Sequence, residues 1–165
     1  MFLSIFKAIE ETGLSIWIRE SDSVFSFWFI LSVHAIGMGI LVGASVLIGL
    51  RILGFAPDMP IAPLKRFYRF VWAGFWIQVV SGILLLIGYP TKSLTNPLFY
   101  VKLTLIGLAM VSMQMLRNRV FADSSLSEAA MIAKGRVFAT CSLIFWVAAV
   151  TAGRLLAYTY SVLTA

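Results

Sequence analysis

The chain of 165 residues is 61% hydrophobic and only 12% charged, with a mean hydropathy of +0.96, whereas about a quarter of the residues of soluble domains are charged. That composition excludes an ordinary soluble enzyme and predicts an all-α integral membrane protein, a single domain over 1–165 with no separate catalytic domain outside the bilayer. The net charge of +6 does not indicate a nucleic-acid partner, because the basic residues flank apolar runs, where lipid headgroups and membrane topology account for them.

From Phe2 to Arg19 the apolar residues Phe2, Ile5, Phe6, Ile9, Ile16 and Trp17 recur at near-helical spacing around Lys7, Glu10 and Glu11. This predicts an amphipathic interfacial helix over 1–22, divided at Gly13. The segment lacks the basic start, apolar run and small-residue site of a cleaved signal. Ser21, Asp22 and Ser23 offer caps for a first span over 24–53, which ends at the proline-rich stretch Pro57 to Pro63. Gly39 and Gly43, followed by Ser45 and Gly49, form a small-residue seam, expected to pack against another helix of the same subunit.

A second span is expected over 67–88, with Gly74, Gln78 and Gly82 at intervals of four placing the Gln78 amide on one glycine-flanked, inward face. A third follows over 98–116 with Lys102 near its start, and a fourth over 136–160 with Arg154 near its end. The intervening stretch Arg117 to Lys134 is the most polar of the chain and reads as a loop. Cys141, the single cysteine, is a small packing residue of the last span, since no disulfide or cysteine metal site can be built from it within one chain. The expected architecture is four transmembrane helices in a bundle preceded by the interfacial helix.

Orientation follows from where Lys and Arg fall. Arg51, Lys65, Arg66, Arg69, Arg117, Arg119, Lys134 and Arg136 flank one side, against Lys7, Arg19 and Lys92 on the other. The first set is expected in the cytoplasm and both termini in the periplasm, in the inner membrane of a bacterium.

That orientation brings His34, Lys102 and Arg154 into the outer leaflet from three different helices. His34, the only histidine, lies about ten residues, ~15 Å, into its span. An ionisable group inside a span is costly and marks a functional site. Imidazole binds haem iron, and Lys102 and Arg154 would pair with the propionates; the competing readings are a hydrogen-bonded packing histidine beneath two snorkelling cations, or a histidine with a proton or metal-ion role. Met38 shares the His34 face, so a second axial ligand would come from Lys102, Met110, Met113 or a second protomer, or the iron would be five-coordinate. No Asp or Glu lies within a span and no phosphate loop or serine triad is present, which removes carboxylate relays, hydrolysis and phosphoryl transfer.

The runs IRESDSVFSFWFILSVHAIGMGILVGASVLIGLRILGF, NPLFYVKLTLIGLA and FWVAAVTAGRLLAY resemble a bacterial family of small four-span inner-membrane proteins, over most of the chain. More remotely, a histidine in the first span followed by a lysine at the start of the third is similar to the four-helix membrane protoporphyrinogen oxidases and the copper-resistance D proteins. In the former group that pair goes with a b-type haem, which the resemblance carries to His34 and Lys102, while the interfacial helix and glycine-rich first span depart from that group.

The expectation is a haem b-binding, electron-transferring membrane subunit with cofactor residues His34, Lys102, Arg154 and Gln78, His34 being the metal ligand. Other membrane subunits or a homo-oligomer, and a periplasmic or quinone redox partner, are the expected company. The alternatives are a cofactor-free structural subunit of a complex, a protoporphyrinogen-oxidase-like enzyme and a copper-import protein.

Overall fold

The computed structural model describes residues 2–123 and 125–163. Two short helices, α1 (Phe2–Glu10) and α2 (Gly13–Glu20), precede α3 (Phe27–Ile52), α4 (Tyr68–Gly88), the short α5 (Pro90–Leu94), α6 (Pro97–Leu116) and α7 (Glu128–Leu163). Four helical segments are long and apolar enough to cross a membrane, and no strand occurs among the described residues.

Local chemistry sets the boundaries. Thr12 accepts a hydrogen bond from the Ser15 amide to start α2, so Gly13 divides the N-terminal segment. The Ser26 hydroxyl donates to the carbonyls of Ser21 and Ser23, a turn that postpones α3 from 24 to Phe27. At its far end Gly54 takes a φ of +103°, and the Phe55 amide reaches back 3.0 Å to the Leu50 carbonyl, a glycine-dependent stop that a side chain would strain. Asn96 accepts from the Leu98 amide while Pro97 opens α6, the favoured order of cap and proline.

The last helix differs most from expectation. It begins at Glu128 rather than Arg136, because Ser127 accepts from the Ala130 amide, Glu128 suits the positive end of the helix dipole, and Ala129 to Ala133 are strong helix formers. A π-helical turn, Arg117–Phe121, extends α6, so the anticipated polar loop shrinks to a few residues. There Asp123, hydrogen-bonded by the hydroxyl and amide of Ser125 and near Lys134, has its carboxyl held below the ordinary range.

The spans lie antiparallel in the sequence α4, α3, α7, α6: α4 packs on α3, α3 on α7 and α7 on α6, while α4 and α6 are not neighbours along their length. The tightest crossing is between α3 and α4. A Cβ on Gly74 would stand 2.7 Å from the Leu41 amide nitrogen and 2.9 Å from the Gly37 carbonyl oxygen, so two backbones touch there, as small residues permit between membrane helices. The expected seam holds at Ser45 and Gly49, which are buried, Gly49 against Leu143, and is corrected at Gly39 and Gly43, which are exposed and meet nothing within 4 Å; Gly37 is the other α3 glycine in packing contact.

The two ends of the bundle differ. At the basic end, where the α3–α4 and α6–α7 connections lie, a buried core of Ile48, Ile52, Leu64, Val71, Leu116 and Val120 continues to the Tyr68–Phe121 ring pair at 5.6 Å. Arg51, 4% exposed, pins this end by donating to the carbonyls of Met59 and Pro57 and to Glu128. At the terminal end, α2 is not merely surface-bound: Ile18 is buried against Gly88, the Ser15 hydroxyl donates 3.5 Å to the Gly88 carbonyl, and the Thr91 amide donates 3.3 Å to Glu10. Leu14, Ile16 and Trp17 remain exposed, fit for the bilayer interface.

Candidate functional site

The core cluster reaches no further along α3 than Leu41, and two turns beyond it on the same face lies His34. The delayed helix start puts His34 about seven residues, ~10 Å, below the terminal end of α3. Its ring packs on α4: a Cβ at Gly82 would lie 3.4 Å from His34 Cε1, and His34 Nδ1 is 2.9 Å from Ser81 Oγ. The Ser81 hydroxyl in turn donates 2.5 Å to the Ile77 carbonyl.

Lys102 enters from α6, about a turn and a half from its start. Its side chain runs sideways along α7, with Cε, Cδ and Nζ 3.4, 3.6 and 3.7 Å from where a Gly153 Cβ would be. Lys102 is therefore directed along α7 into the bundle rather than toward the headgroups. Among the described residues its ammonium has no carboxylate partner. His34 at the α3–α4 contact and Lys102 at the α6–α7 contact thus lie at similar depths, about one and a half to two turns from the terminal end.

Comparison of the chain with known protein families, curated proteins and solved structures returned no match.

The remaining expected residues separate. Gln78, one turn below Gly82 and level with Gly37, is half-buried and its amide makes no hydrogen bond among the described residues. Arg154 is exposed, with its guanidinium carbon 5.2 Å from the centre of the Tyr158 ring, so it lies along the outside of α7 toward the terminal end. Met113 is buried in the core with Leu116 and Ala109, and Met110 packs against that core. They lie roughly 12 and 16 Å (Met110, Met113) deeper along α6 than Lys102.

Sequence reasoning passed over Ser81, Gly82 as the seat of the imidazole, and Gly153 as the track for Lys102. A signal existed for Ser81, the sole serine or threonine in α4. Among the described residues no group of three or more His, Cys, Asp or Glu gathers, so a multi-ligand ion site of those residue types is not built among them, and one imidazole and one cation at similar depth are what the bundle offers.

Proposed function

We propose that this chain is a haem b-binding membrane subunit for electron transfer, in which His34 would hold the iron and Lys102 would supply the counter-charge for a propionate. The observation that carries the reading is the similar depth, inside the bundle, of the only histidine and of a lysine without a carboxylate partner among the described residues. A cation within a span costs about 2.5–3.5 kcal/mol at its centre, and membrane proteins keep such groups where a ligand of opposite charge answers them. The donor set fits the group: imidazole is an iron ligand, ammonium suits a carboxylate, and glycines at 82 and 153 keep both side chains free of steric crowding.

When bound, haem supplies one-electron exchange at its iron. The chain's own residues do the rest: His34 holds and orients, Lys102 neutralises charge, and the packed core beneath excludes water from the basic end. Gln78 is available as a hydrogen-bond donor one turn below. The lysine and arginine asymmetry supports an inner-membrane orientation with the basic end cytoplasmic and both termini periplasmic, which would direct exchange toward a periplasmic or quinone partner.

The test is an absorption spectrum with pyridine haemochrome analysis on detergent-solubilised protein from haem-replete cells. A Soret band that disappears in His34→Ala is expected; colourless wild-type protein overturns the reading. Exposed Gly39 and Gly43 favour a second reading, a cofactor-free subunit docking a neighbouring helix, for which stoichiometric co-purification of a membrane partner with colourless protein is the expected result.

A further inference from the structure

We propose that Ser81 is a positioning residue that holds His34 in the tautomer with the proton on Nδ1 and the lone pair on Nε2. Ser81 is 3% exposed and has a single hydroxyl hydrogen. Its Oγ lies 2.5 Å from the Ile77 carbonyl oxygen, a separation two oxygens tolerate only with a hydrogen between them. The hydrogen is thus committed to Ile77, and Ser81 Oγ has only lone pairs to offer His34 Nδ1 at 2.9 Å. Nδ1 must be the donor, and a neutral imidazole that donates from Nδ1 has an unprotonated Nε2.

The helix crossing enforces this arrangement. Leu41 is seven residues from His34 and Gly74 seven from Ser81, so each pair shares a helix face. The backbone contact of Gly74 with Leu41 and Gly37 therefore locks the register that sets Ser81 against the ring. Free histidine prefers the proton on Nε2, so the site reverses the intrinsic preference and leaves free the nitrogen that a metal would take, the role outer partners of ligating histidines play.

The proposal deepens the haem reading, yet its first test needs no haem. Because His34 is the only histidine, full-length protein grown on histidine carrying the NMR-active nitrogen isotope gives one pair of ring resonances, recorded without haem at a pH well above imidazole titration. A protonated Nδ1 and an unprotonated Nε2 are expected. Ser81→Ala should move the populations toward Nε2–H. Ser81→Thr should restore the wild-type pattern, since Ser81 borders an apolar groove of about 380 Å³ with Ile30, Val33 and Ile77 that has space for a methyl. A wild type dominated by Nε2–H, or an alanine variant indistinguishable from it, overturns the assignment. Haem titration is a separate arm: Ser81→Ala should weaken binding roughly 10–100-fold with threonine restoring it, whereas wild-type protein that takes up no haem but shows Nδ1–H removes the haem reading and leaves the tautomer standing.

Discussion

Lys102 is at odds with stability, because its stem crosses α7 at Gly153 and its ammonium, held inside the bundle, has no carboxylate partner among the described residues. Replacing it by methionine keeps the volume and removes the charge. In protein without haem, Lys102→Met should stabilise the fold by about 1–3 kcal/mol, read from unfolding in a denaturing detergent titration. Haem affinity of the same variant should fall about tenfold, whereas Arg154→Gln, out over Tyr158, should have a smaller effect and Arg117→Gln at the basic end none. A loss of stability in Lys102→Met would mean that the lysine serves the fold. The histidine was legible as a lone ionisable group in an apolar run, but two cations equally close to helix ends read alike in sequence, and only the packing on Gly153 separates the inward one from the outward one.

At the scale of elements, helix type and number followed from long apolar runs punctuated by prolines and caps, while the glycine seam did not. Spacing marks Gly39 and Gly43, and packing uses Gly37 and Gly74, because a helix presents small residues on several faces and the partner's approach selects one. Alanine at Gly74 should drive Cβ into the backbone of α3, which cannot yield as a side chain can, and cost about 1–3 kcal/mol. Alanine at Gly39 or Gly43, with nothing within 4 Å, should leave the isolated protein unchanged or up to about 1 kcal/mol more stable through helix propensity. The same unfolding titration checks both, and a costly Gly43→Ala would show that this face is covered. Arg51 also crosses elements, tying the α3–α4 loop to the start of α7; Arg51→Ala should cost about 3 kcal/mol and expose the basic end to proteolysis.

For the whole molecule, topology is the first quantity to check. In a Cys141→Ala background, single cysteines at the exposed positions Thr95 and Ser125 lie at opposite ends of the bundle. Treatment of intact cells with a membrane-impermeant thiol reagent should label the first and spare the second; the reverse pattern would turn the site toward the cytoplasm and withdraw the periplasmic partner. What the amino-acid sequence by itself determined is the class of molecule: four apolar runs long enough to cross a bilayer must become helices, since their backbones find no other hydrogen-bond partners in lipid, and the lone histidine among them marks the place to look. Only the tertiary structure decided that α4 and α6 stand apart, that Lys102 turns inward and Arg154 outward, and that Ser81 meets the imidazole, because these depend on rotation about helix axes and on crossing geometry. Lipid is nearly as apolar as the helix interior, so hydrophobic patterning barely distinguishes the inner face from the outer, and close backbone contact at Gly37 and Gly74 makes that choice instead.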